Sequence, residues 1–230
     1  ELGVMNCTSD SASRQPYVGN SATEGDNWAR GNYGANGGDC YPYQGLTLDC
    51  STASGRGWAD GRTRGVMGCN CAVDFARIRD GSSNTILLAE IRVGVSERDR
   101  RGCWALGGAC SSALFGYGSH YANDSNGPNP RNDDADDMLG CDYLRNTSPG
   151  HAALLSEGMT CYPSNYTIAT AARSCHPDGL QIARCDGSVC WISDHINIIG
   201  TVMNSPWPTD STWDRLIMSD DGQPIPSDAY

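Results

Sequence analysis

The chain has 230 residues and a net charge of −11, and all 16 of its basic residues are Arg. The absence of Lys excludes lysine Schiff-base chemistry, a phosphate-loop lysine and a Lys–Asn isopeptide staple. The negative balance repels a phosphate backbone and excludes a general nucleic-acid partner.

Residues 19–65 are rich in Gly, Asn and Asp ("GNYGANGGDC", "GRGWADGRTRG") and read as turns between short strands. "VDFARIRDG" reads as a short strand or one helical turn, ended by Asp80-Gly81. "NTILLAEIRVGV" (84–95) is the strongest strand signal and suits a central position. Residues 116–137 read as loop. "GLQIARCDGSVCWIS" (179–193) alternates around an Asp-Gly pair and predicts a hairpin. A two-residue Asp186-Gly187 turn would pair Cys185 with Ser188 and Ala183 with Cys190. "STWDRLI" (211–217) predicts a short helix capped by Ser211 or Thr212. The end, from Gln223 to Tyr230, is Pro-rich and predicts a tail that reaches onto a neighbouring subunit. No run reaches the roughly 18 apolar residues of a membrane span, and no internal repeat or domain boundary is visible. The fold class predicted is α+β, mainly antiparallel β, as a single domain over 1–230.

Twelve cysteines are spread along the chain: Cys7, Cys40, Cys50, Cys69, Cys71, Cys103, Cys110, Cys141, Cys161, Cys175, Cys185 and Cys190. Their even number and spread predict disulfides in an oxidising compartment. Zinc is the competing reading, but the Cys-x-x-Cys pairs usual in structural zinc sites are absent. The pairing stays open. Cys185 and Cys190 would lie as diagonal neighbours about 7–8 Å apart, too far for a relaxed bridge, so each is expected to pair elsewhere.

"NDSNGPNPRNDDADD" (123–137) offers many oxygen donors on a loop, and calcium takes six to eight such oxygens. Asp133, Asp134 and Asp136 are the candidate ligands; the competing reading is a solvated acidic loop. His176, ahead of the turn sequence Pro177-Asp178-Gly179, reads as a structural histidine bonded to the loop backbone, with a ligand or catalytic role as the alternative. The chain has no Gly-x-Ser-x-Gly, no His-Glu-x-x-His and no Gly-x-Gly-x-x-Gly, so no catalytic residue is assigned. Asn6, Asn123, Asn146 and Asn165 stand in N-x-S/T sequons.

Several stretches together resemble one family. "IRDGSSNTILLAE" resembles the D-G-T-S-N-T-I segment of a large bacterial family of prepilin-like secreted proteins, which carry a domain of unknown function behind a pilin-type methylation signal. "CHPDGLQIARCDGSVCWISDHI" resembles its H-P-G-G…D-G-S-V signature, "STWDRLIMSDDGQPI" its closing W-x-x-L and turn, and "VMNCTSD" with "NYGANGG" its C-P-S-D and Y-x-x-N-x-G elements. The signature residues here are Asp80, Gly81, Asn84, Glu90, His176, Asp186 and Gly187. Asp178 and Gln181 replace a Gly and an Asn, and Thr8 replaces a Pro. The resemblance implies a pilin- or pseudopilin-like head with short strands and long loops, lacking the hydrophobic N-terminal helix that would anchor such a head in a membrane or filament core. The chain begins at Glu1, as a processed form or a fragment would. The reading is a non-enzymatic structural subunit of an extracellular or cell-surface filament, tube or coat, hardened by disulfides, with copies of itself as partner. The alternatives are a monomeric secreted module that binds glycan or calcium, and a secreted hydrolase.

Overall fold

In the computed structural model, residues 2–11, 15–19, 24–38, 58, 60–68, 71–108, 110–114, 127–131, 135–164, 169–198 and 211–226 are described. Their strands are β1 (Tyr17–Val18), β2 (Asp26–Trp28), β3 (Tyr33–Asn36), β4 (Met67–Gly68), β5 (Cys71–Ala72), β6 (Ile86–Glu90), β7 (Ala113–Leu114), β8 (Asp137–Leu139), β9 (Tyr162–Ser164), β10 (Gly179–Arg184) and β11 (Val189–Ser193). The helices are α1 (Cys141–Asn146), α2 (His151–Ser156) and α3 (Thr212–Ile217), and single 3-10 turns cover Gly3–Met5 and Phe75–Arg77. The fold is α+β with mostly antiparallel strands, as expected. No helix among the described residues is long and apolar enough to cross a membrane.

The main sheet has the order β11-β10-β6-β3-β7. The apolar run at 84–95 supplies its central strand β6, as its composition predicts. All neighbours pair antiparallel except β3 and β7. Strand alternation sorts the side chains to two faces. Ala89, Leu180, Ile182 and Ile192 face a core that α3 closes with Trp213 and Leu216. Burying each of the large aliphatic chains there contributes about 1.5–3 kcal/mol. Ser211 caps α3 by accepting from the Asp214 N–H at 3.1 Å. The alternate positions, Tyr33 beside Glu90 and Gln181 beside Trp191, lie on the opposite face.

The hairpin forms, but one residue out of the expected register. Ile182 lies opposite Cys190 and Ala183 opposite Val189. Three residues, Cys185 to Gly187, make the loop. Arg184 N–H donates to Ser188 O at 2.9 Å and Gly187 N–H to Arg184 O at 3.0 Å. Gly187 takes φ 86°, the left-handed position of a three-residue hairpin loop. Two bonds draw the extra residue into the turn: Cys185 N–H to Thr85 O at 3.0 Å, and Ser188 N–H to the Asp186 carboxylate at 2.9 Å.

A second core gathers Met138, Leu144, Leu154 and Met159 around the disulfide Cys141–Cys161. Closing a loop with 20 residues of sequence separation contributes about 3 kcal/mol in the chain-entropy account. Full pairing of the cysteines is not observed: Cys7, Cys103, Cys110, Cys175, Cys185 and Cys190 carry no bridge. Cys40, Cys50 and Cys69 lie outside the described residues. Several of the unbridged thiols pack as small apolar groups. Burial pushes the thiols of Cys103 and Cys110 up, and that of Cys185 up to about 11.

The described part of the tail, residues 223–226, makes contacts within the chain. Arg215 donates to Pro224 O at 2.6 Å and Ile225 packs against the main core. Trp213 is buried in the main core. Trp207, Tyr230 and residues 227–230 lie outside the described residues.

Candidate functional site

Glu90 ends β6 on the sheet face opposite α3 and is 2% exposed. Gln181 N–H on β10 donates to its Oε2 at 2.8 Å. Its other oxygen, Oε1, lies 3.2 Å from His176 Nε2. His176 arrives from the loop before β10. Its N–H donates to Ser174 Oγ at 3.2 Å, and that hydroxyl donates to Gly179 O at 2.7 Å. The turn needs Asp178 at φ 63°, a conformation that Asp tolerates better than most residues. A Cβ at Gly179 would collide with Ile192 O, so the chain can enter β10 only through glycine. The His176 ring meets Trp191 edge-on, with centroids 5.8 Å apart.

Cys7 completes the cluster from the other end of the chain. Its N–H donates to Asn32 Oδ1 at 2.8 Å, and Asn32 Nδ2 donates to Asp10 Oδ2 at 2.7 Å and Ile91 O at 3.1 Å. Cys7 Sγ then stands 3.5 Å from the same His176 Nε2. The sequence predicts a histidine bonded to the loop backbone; its ring meets two side chains, because strand β6 presents Glu90 beside it. Thiol and carboxylate share one ring nitrogen. A Cys–His–acid relay needs them on opposite nitrogens, one to accept the thiol proton and one to donate to the acid. The arrangement is convergent rather than linear. Tyr33 borders it: burial, then the Cys7 and Glu90 charges, push its phenol up.

The site adjoins a cleft of about 530 Å3 lined by Arg92, Asn129, Arg131, Glu157, His176 and Asp194, among others. Arg92 pairs with Asp10 at 3.4 Å and with the Glu157 carboxylate at 3.0 Å. It also donates to Glu157 O at 2.7 Å.

A family model described as "Protein of unknown function (DUF1559)" matches residues 1–198. The chain belongs to this family. No curated protein and no solved structure matches it. The DUF1559 match includes Cys7, Glu90 and His176, while α3, which closes the main core, lies beyond the matched residues.

Of the predicted site residues in this DUF1559 chain, Glu90 and His176 come together, and Cys7 joins them as an unbridged thiol. Asp80, Gly81, Asn84, Asp186 and Gly187 serve turns. Asp80 accepts from Asp221 N–H at 2.7 Å and Gly222 N–H at 2.9 Å. Asn84 Nδ2 donates to Asp80 O at 3.0 Å. Asp133 and Asp134 lie outside the described residues. Asp136 is corrected as a calcium ligand: it is fully buried, and its two oxygens are occupied by Arg101 at 2.9 Å and Arg173 at 2.6 Å.

The Asp80–Asp221 contact carries a pH prediction. Burial, then the Asp80 charge, push the Asp221 carboxyl up to about 6, against a lowering bond from Gln223 N–H. The unfolded value is about 3.9. A raised folded value gives stability that is fully present below about pH 4 and is lost as pH rises through about 6. Asp221→Asn is therefore expected to gain stability over the parent at pH 7.5 and to lose that advantage at pH 4. Thermal melts of both proteins at the two pH values check this; an advantage that does not change with pH contradicts it.

Proposed function

We propose that this DUF1559 chain is the head of a structural subunit, extracellular or at the cell surface, that assembles with copies of itself and catalyses no reaction. The observation that carries this reading is the edge strand β11. It is the outermost strand of the main sheet, and Val189 and Trp191 on it are 68% and 40% exposed. Its sequence, Val-Cys-Trp-Ile-Ser, contains no charge, no Pro and no Lys, the devices that usually blunt an edge. Such an edge meeting a different surface of the next copy gives a repeat that does not close. The pilin-like character of the head rests on the resemblance of the signature stretches. The use of Asp80, Asn84, Asp186 and Gly187 in turns supports an architectural role for them. The disulfide Cys141–Cys161 supports an oxidising location.

The test is assembly of the purified protein, read by sedimentation and negative-stain microscopy across calcium concentration and pH. Ordered polymers are expected, and Val189→Asp should abolish them while leaving the thermal transition within about 0.5 kcal/mol, as for an exposed surface position. A parent that stays monodisperse at high concentration in every condition overturns the reading. The polar cleft then favours a second one, a monomeric module binding a glycan, since about 530 Å3 falls in the usual range of ligand sites, about 300–1,000 Å3.

A further inference from the structure

We propose that Cys7, Glu90 and His176 bind one borderline divalent transition-metal ion, with Zn2+ as the reference cation. One thiol sulfur, one imidazole nitrogen and one carboxylate oxygen lie within 4.8 Å of one another. Zinc takes these donors at about 2.3, 2.0–2.1 and 2.0–2.2 Å in a tetrahedron. The edges of that tetrahedron are then about 3.5–3.6 Å from sulfur to nitrogen and about 3.3–3.5 Å from nitrogen to oxygen. The observed separations are 3.5 Å and 3.2 Å.

Hydrogen bonding alone accounts for this geometry less well. Nε2 carries either a proton or a lone pair. It can donate to Glu90 or accept from Cys7, and one of the two contacts is left as a plain approach. A cation at the common focus uses all three lone pairs. The charges also match: a thiolate and a carboxylate neutralise a divalent ion, and the imidazole adds none. That matters where Glu90 is 2% exposed, because an unbalanced charge there would be costly. Binding displaces the Cys7 thiol proton to solvent.

The supports are those of a built site. Gln181 N–H holds the Glu90 oxygen that faces away from His176. Asn32 holds the Cys7 backbone, and Asp10 and Ile91 O hold Asn32. Trp191 fixes the imidazole edge-on. Three protein donors leave the fourth tetrahedral position to water or to an exogenous donor. The ligands come from three segments that lie far apart in sequence, so the ion would tie the N-terminal segment and the β10 loop to the central strand. This inference does not depend on whether the heads polymerise.

The test uses the whole chain, purified through a tag without histidine, stripped with EDTA and titrated with Zn2+ and then Co2+. About one equivalent of Zn2+ is expected to bind, raising the melting temperature by about 5–10 °C at a hundredfold excess over Kd. The Co2+ form should show a thiolate-to-cobalt charge-transfer band. Cys7→Ser should remove that band. It should also weaken Zn2+ binding by about 100-fold, the upper end of what losing even a supporting contact costs. His176→Gln, at a partly exposed position, should weaken binding comparably, and decides the matter if Cys7→Ser does not fold. Three results overturn the proposal: no stoichiometric binding, a charge-transfer band that survives Cys7→Ser, or peptide mapping that finds Cys7 in a disulfide.

Discussion

Asp136→Asn is expected to destabilise the fold by about 3–5 kcal/mol at neutral pH, the cost of leaving a buried charge without its partner. Asp136 is fully buried, as are Arg101 and Arg173 within a few per cent. Its Oδ2 accepts from Arg101 Nε at 2.9 Å. Its Oδ1 accepts from Arg173 Nη1 at 2.6 Å, Ala171 N–H at 3.0 Å and Thr170 Oγ1 at 3.3 Å. Asn keeps the shape and loses the charge. Arg101 retains Asp99 at 3.0 Å, while Arg173 loses its only carboxylate among the described residues. The pH dependence follows from the same contacts. Burial alone would raise the Asp136 carboxyl, but Arg173 and then Arg101 outweigh it and hold it low. A depressed folded value gives stability that is present above the unfolded value of about 3.9 and is lost as pH falls through the folded one. The gap between parent and variant should therefore be full at pH 7 and should narrow below about pH 4. Urea melts at both pH values measure it. A gap under about 1 kcal/mol at pH 7, the scale of a surface pair, would show that the buried cluster does not hold the second core together.

Asp136 also shows where the sequence stops being informative. "NDDADD" places four Asp within six residues, and any local reading makes them one acidic group. Nothing in that stretch says that Arg101 and Arg173 arrive at one of them from opposite sides. The elements that were legible are those whose signal is local. Strand β6 announces itself by a largely apolar run, the hairpin by alternation around Asp-Gly, and α3 by Ser211 before an apolar face. The hairpin's register was not legible, because the bond from Cys185 N–H to Thr85 O belongs to a neighbouring strand. Helices α1 and α2 have six residues each, too few for a helical period to declare itself. The candidate site was half legible. Glu90 and His176 stood out as signature residues, yet Cys7 was grouped with the disulfides. A Cys–His contact across 169 residues leaves no trace in spacing, and no Cys-x-x-Cys pair marks it.

At position 30 the fold requires arginine rather than lysine, and Arg30→Lys is expected to cost about 3 kcal/mol. Arg30 is 3% exposed. Its Nε donates to Gln15 O at 2.9 Å. Nη1 donates to Asp99 O and, at 2.8 Å, to Arg101 O. Nη2 donates to Ser96 O at 2.8 Å and to Glu97 O at 3.4 Å. A single guanidinium thus satisfies the carbonyls of a segment, 96–101, that has no strand or helix to satisfy them. Gly94 makes room for it, since a Cβ there would collide with Arg30 Nη1. An ammonium has three donors on one atom and cannot reach both sides of that loop. Leaving one or two charged bonds unmade, at about 1.5–3 kcal/mol each, gives the expected loss. Burial pulls the Arg30 guanidinium below its ordinary value, with Asp99 the chief opposing charge. Arginine has margin to keep its proton there, whereas lysine starts from about 10.4. The loss corresponds to a fall in melting temperature of about 6–12 °C for a domain of this size, and amide exchange in residues 96–101 should accelerate with it. A Lys variant within about 1 kcal/mol of the parent, with unchanged exchange in that loop, would mean that the ammonium reaches the same carbonyls and that the fork is not what the fold requires.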